Sequence, residues 1–132
     1  MKYAILSLSL LTIVGCGSNE TKEKTSNNKP IDGKKIYMQT CSACHQASGK
    51  GMIGTFPPLA NSDYLLEDKE RAIKQVLHGS SEKMIVNGVE YTGMMPPQNL
   101  SDEETAAVLN YVLHAWGNQG DSVTVEEVKV LR

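Results

Sequence analysis

The spacing of apolar residues changes along this chain, and each change predicts an element. Tyr3 to Val14, YAILSLSLLTIV, is apolar apart from Ser7, Ser9 and Thr12. At twelve residues it is too short to span a bilayer comfortably and has the length of a signal-peptide core. Residues 17–29, GSNETKEKTSNNK, hold no large apolar side chain and predict a flexible tether, because they cannot bury enough surface to offset their ordering entropy. Helical spacing then begins. Pro30 stands in a favoured first-turn position, and Ile36, Tyr37 and Thr40 share one side of the predicted helix. Residues 49–62, GKGMIGTFPPLANS, are rich in Gly and Pro and read as a loop.

A second helix is expected over Asp68 to His78, with Gly79 as its stop. KMIVNGVEYTG predicts two short strands about Asn87-Gly88, a strong two-residue hairpin signal. Ser101 with Glu104 forms a capping box for a long helix. Its apolar stripe is Ala107, Val108, Tyr111, Val112 and Ala115, and it stops at Gly117. A second capping box, Thr124 with Glu127, precedes Val125, Val128 and Leu131 at helical spacing. The expected fold is all-α, with a small β-hairpin near residues 83–92 and a short C-terminal helix.

Composition sharpens this picture in two places. The 132 residues carry 13 Lys+Arg against 15 Asp+Glu, so nothing calls for a nucleic acid or an acidic substrate as partner. Aromatics are 5% of the chain, with one Trp and one Phe, which leaves a thin core that something else can fill.

The end of the first apolar stretch, IVGC, resembles the lipobox of bacterial lipoproteins. The reading is cleavage before Cys16 and lipidation of its sulfur. The mature chain then has 12 basic and 15 acidic residues. Its thirteen-residue tether has a root-mean-square span of about 20 Å and a stretched reach of about 45 Å. The chain is expected to be exported and lipid-anchored to the membrane, facing the periplasm or cell exterior.

CSACH, residues 41–45, carries the chemistry. A disulfide between Cys41 and Cys44 would close a very small ring and stabilise little. Zinc needs about four ligands, and His78 and His114 are isolated. A thioredoxin-like pair needs a βαβ pattern, which is not visible. Cys-x-x-Cys-His remains as a covalent c-type haem attachment. Cys41 and Cys44 add across the haem vinyl groups, and a short helical turn brings His45 beneath the iron.

The second axial position has six candidates: Met52, Met84, Met94, Met95, His78 and His114. His78 suits a helix C-terminus as a cap, and His114 suits a helix surface. GMMPP, residues 93–97, is different, because two prolines stiffen an extended loop that can hold a weak thioether ligand.

GKKIYMQTCSACHQ, residues 33–46, resembles the N-terminal helix and haem site of class I cytochromes c. YTGMMPPQNLSDEETAAVLNYVLHAWGN, residues 91–118, resembles the distal loop and C-terminal helix of the bacterial, monohaem members. The resemblance covers residues 31–118 and implies three main helices around one covalent haem c. The family register of glycine, one residue, methionine, proline selects Met95 as the ligand. It implies that a proline carbonyl in the loop after the haem motif accepts the proton of the ligand histidine. Pro57 matches that place best, with Pro58 as the alternative and Leu59 packing on the porphyrin. It also implies that Gly33 and Tyr37 face Val108 and Tyr111 where the first and last helices cross.

The implied organisation is a lipoprotein signal peptide at 1–15, an anchor and linker at 16–30, a cytochrome c domain at 31–118, and a packed C-terminal extension at 119–132. The expected function is electron transfer by a monomer between redox protein partners, with no catalytic residues. The rival readings are a haem redox enzyme module and a gas sensor with a displaceable distal Met. Arg71 and Arg132 are the only arginines, and no distal His or Arg lies near GMMPP.

Overall fold

Asp32, not Pro30, starts the first helix. The computed structural model describes residues 30–132; the export segment, Cys16 and the tether lie outside them. The Asp32 carboxylate accepts from the Lys35 amide at 3.1 Å, satisfying a free donor of the first turn. Pro30 therefore precedes the helix, and α1 runs Gly33–Ile36. A π-helical segment, Tyr37–Cys41, continues it, and α2, Ser42–His45, completes it. The Ser42 amide reaches back five residues to the Tyr37 carbonyl, so the helix is locally widened where Cys41 leaves it. Gln46, at φ 62°, ends the helix directly after His45.

Two helices follow the Gly/Pro loop. Helix α3, Asp63–Glu67, is capped by Ser62, and α4, Lys69–His78, is capped by Asp68. The sequence reading missed α3, whose five residues are too few to display a period. Strands β1, Met84–Val86, and β2, Val89–Tyr91, pair antiparallel, Met84 with Tyr91 and Val86 with Val89. Asn87 and Gly88 both have positive φ, as the tight turn demands. Asn87 also exchanges two hydrogen bonds with Asp63, at 2.7 and 3.0 Å, which fastens the hairpin to the start of α3.

Helix α5, Asp102–His114, opens on the Ser101–Glu104 capping box. Its buried surface is wider than a single stripe and includes Thr105, Ala106, Leu109 and Leu113. It needs this width because α1, α4 and the last helix all pack against it. At the crossing with α1, a Cβ on Gly33 would lie 2.0 Å from the Ala107 carbonyl oxygen and 3.1 Å from Tyr111 Cβ. Val108, which the resemblance places here, lines the cleft described below. Tyr37 is fully buried beside this crossing, with ring centroids 5.4 Å from Tyr111 and 5.1 Å from Trp116.

After the short 3-10 turn Ala115–Gly117 the chain doubles back along α5. Asn110 exchanges two hydrogen bonds with the backbone of Val123, at 2.7 and 2.9 Å. Helix α6, Val125–Leu131, then buries Val128 completely against α4 and α5. Among the described residues no helix is long and apolar enough to cross a membrane.

Candidate haem-binding site

Cys41, Cys44 and His45 lie on the last turns of the first helix and line one cleft. Neither cysteine is in a disulfide; Cys41 is half-buried and Cys44 exposed. Burial, with the neighbouring Cys44 adding to it, pushes the Cys41 thiol up to about 11. A thiol-redox pair needs a depressed thiolate, so this environment opposes that reading. Among the described residues no group of three His, Cys, Asp or Glu side chains is placed to hold a bare metal ion. The motif is therefore set up neither as a redox pair nor as a zinc cage.

His45 is 9% exposed, and its Nδ1–H donates to the Pro57 carbonyl oxygen at 2.9 Å. Burial pulls the imidazole below its ordinary value, while the bond to Pro57 raises it. The outcome is a neutral ring whose tautomer is fixed, with the Nε2 lone pair free to bind a metal.

The loop that supplies Pro57 is folded on its glycines. Gly51, at φ +60°, donates to the His45 carbonyl at 3.0 Å, and a Cβ there would lie 2.2 Å from the Phe56 oxygen. Leu59 lines the cleft, donates to the Gly49 carbonyl at 2.7 Å, and accepts from the Asn118 amide at 2.9 Å.

Met95 lines the same cleft from the segment between α4 and α5. Its amide donates to the Ser80 carbonyl at 2.7 Å, and the Ser80 amide donates to its carbonyl at 2.8 Å. Gly79 makes this closeness possible, since a Cβ there would lie 2.5 Å from the Met95 oxygen. Gln98 adds a bond from its amide to the Val76 carbonyl at 2.9 Å. Met95 is partly buried, whereas Met94 is 76% exposed. Of the other distal candidates, Met94 and Met84 also line the cleft, and Met52 is exposed. His78 closes α4, and His114 is exposed and bonded to the Asn110 carbonyl.

The cleft is lined by residues from the first helix, α3, α4, the hairpin and α5. Its walls are largely apolar, with Leu65, Val86, Val108 and Val112 among them. A flat apolar macrocycle fits such walls, and a thin core leaves the room. Arg71 supplies the polar end. Its guanidinium lies 3.7 Å over the Tyr64 ring and bonds the Tyr64 carbonyl, yet its buried Nε finds no partner among the described residues. Glu67 at 3.4 Å and Asp68 at 3.9 Å pair with the rest of the guanidinium, and a carboxylate on a bound group would satisfy the Nε donor that they leave unmet. The donor set therefore fits haem: two thiols, one neutral imidazole, a thioether, apolar walls and one cation.

Sequence reasoning did not find Arg71, Tyr64, Ser80 or Gln98. Arg71 stands one residue before the buried Ala72 and Ile73, and that placement was its single available signal.

The cytochrome c family profile matches residues 31–116. The chain belongs to the cytochrome c family. As a member it carries covalently bound haem c, with iron, and serves electron transfer. Cytochrome c-552 of Thermus thermophilus is 42% identical over 111 residues, covering 76% of this chain and 84% of that protein. The cytochrome c subunit of the quinone alcohol dehydrogenase of Gluconobacter oxydans is 28% identical over 115 residues, where this chain spans 22% of the relative. The fructose dehydrogenase cytochrome subunit of Gluconobacter japonicus is 28% identical over 120 residues, 25% of its length.

Proposed function

We propose that this cytochrome is a membrane-anchored carrier of single electrons between respiratory or periplasmic redox proteins. Cys41 and Cys44 would hold the haem through thioether bonds, and His45 and Met95 would ligate its iron. The iron supplies the one-electron couple. One observation carries the reading: His45 has its Nδ1–H committed to Pro57, and it shares a cleft with Cys41, Cys44 and Met95.

Each residue then has a definite task. His45 presents a firm nitrogen donor, made more electron-rich by its bond to Pro57. Met95 offers a thioether, a poor donor to the oxidised metal, which raises the potential. With His45 and Met95 both bound, the iron would offer small molecules no free site. Pro57 and Leu59 shape the face around His45, and the apolar walls keep water away. The partner is an oxidase, a reductase or a dehydrogenase, met through a small transient interface. The dehydrogenase subunits among the relatives support a partner of that kind. IVGC supports lipidation at Cys16, and the polar segment after it gives the domain reach.

The test is spectroscopic and biochemical. Acid-acetone extraction should leave the haem on the polypeptide. The reduced protein should be inert to carbon monoxide at neutral pH, and rapid binding would favour an enzyme or a gas sensor. Wild type should partition with membranes, and Cys16→Ser should not. Haem that washes out of the protein would overturn the reading.

A further inference from the structure

The C-terminus of the chain is tied to both ends of the segment that carries Met95. Residues 79–101 make one long excursion between α4 and α5, interrupted by the β1–β2 hairpin. At its first end, His78 is the last residue of α4, and its Nε2–H donates to the Leu131 carbonyl at 2.9 Å. Gly79 and Ser80 follow directly, and they hold the Met95 backbone. At its second end, Arg132 donates to the Leu100 carbonyl at 3.0 Å and to the Asp102 carboxylate at 2.5 Å. Two residues earlier, Gln98 is bonded to Val76. Helix α6 is itself fixed by the buried Val128 and by Lys69, which pairs with Glu127 at 2.7 Å.

We propose that residues 124–132 are a positioning brace for the distal loop, with His78 and Arg132 as its two ties. A long excursion opens by swinging on its stems, and closing it again costs loop entropy. Cross-tying both stems to one packed helix removes that freedom. The brace acts on the Ser80–Met95 pairing, and through it on how long Met95 keeps its place in the cleft. Only this last step rests on the reading of Met95 as a ligand. The brace is a use for the C-terminal helix beyond covering α4 and α5.

Hydrogen exchange on the haem-loaded, full-length protein tests it. A single net hydrogen bond corresponds to about a fivefold change in an opening equilibrium. His78→Ala and Arg132→Ala should each speed exchange of the Ser80 and Met95 amides about fivefold, and the double variant more. The Ile73 and Leu109 amides, inside α4 and α5, should be unaffected. His78→Gln and Arg132→Lys keep a donor and should restore part of the protection; they also serve if an alanine variant fails to fold. The rate at which imidazole enters the oxidised iron should rise by the same factors. Unchanged Ser80 and Met95 exchange in the double variant would overturn the proposal, and so would an acceleration shared equally by Ile73 and Leu109. If exchange accelerates while wild type lacks a sulfur-to-iron absorption band, the brace stands and the ligation of Met95 falls.

Discussion

The Nδ1 atom of His45 lies 2.9 Å from the Pro57 carbonyl oxygen, twelve residues further along the chain. The bond spans a loop that turns on Gly51, whose amide bonds back to the His45 carbonyl at 3.0 Å. The histidine and its acceptor are therefore held by the same tight turn.

Gly51→Ala should disturb that pair without touching either member. A Cβ at this position would lie 2.6 Å from the Pro57 oxygen, and φ is +60°. The left-handed backbone and the collision together should cost about 2 kcal/mol or more, read from denaturant unfolding. Displacing the Pro57 carbonyl weakens the acceptor for Nδ1–H, so His45 becomes a poorer donor. The reduction potential of the loaded protein should rise. An unchanged potential in a destabilised variant would separate the loop's structural role from its effect on His45.

Gly33→Ala tests the helix crossing. The added Cβ would meet the Ala107 carbonyl at 2.0 Å, and backbone cannot step aside as a flexible side chain can. Helices α1 and α5 must then separate, which also loosens Tyr37 against Tyr111 and Trp116. Overpacking of this kind costs about 3 kcal/mol. The thermal midpoint, followed by circular dichroism, should fall by about 10 °C.

Local codes were legible in the sequence and long-range ones were not. CSACH, the Asn87-Gly88 turn and the two capping boxes are each written within five residues, so the sequence placed them. Asp32 displaced Pro30 as the helix start because a carboxylate that satisfies an amide outweighs a favourable φ. The π-helical segment over Tyr37–Cys41 left no pattern, since it is a one-residue change of register inside an otherwise ordinary helix. Ser80 and Gln98 hold Met95 and its loop through backbone groups, which any residue carries. Arg71 lies in a helix that reads as amphipathic either way, and its inward role depends on Tyr64 from the preceding helix.

Glu127 gives the protein an acid-sensitive contact. Its carboxyl is held down to about 2, first by the hydrogen bond from Lys69 and next by the Thr124 backbone. A carboxylate with a depressed folded-state value stabilises fully above its ordinary value near 4.5. That contribution fades as pH falls from about 4.5 towards about 2. Wild type should therefore exceed Glu127→Gln in thermal midpoint at neutral pH, and the two should converge as pH falls towards 2. A gap that persists at the acid end would show that the variant removes packing rather than charge. The pair is at the surface, so added salt should narrow the neutral-pH gap.

Met94 and Met95 are adjacent, and one of them can bind the iron without remodelling the loop. Successive side chains on an extended backbone point to opposite sides. Pro96 confines Met95 to extended conformations, and Ser80 grips it by two backbone bonds of 2.7 and 2.8 Å. Met94 also lines the cleft but is 76% exposed, whereas Met95 is partly buried. Met95→Ala should abolish the weak far-red sulfur-to-iron band of the oxidised protein, lower the potential, and open the reduced iron to carbon monoxide. Met94→Ala should keep the band and shift the potential little. Loss of the band in Met94→Ala with its survival in Met95→Ala would move the ligand by one residue. Survival in both would pass the role to Met84, which also lines the cleft, or to Met52, which would have to swing inward. The Ser80 clamp would then hold a loop with no ligand on it.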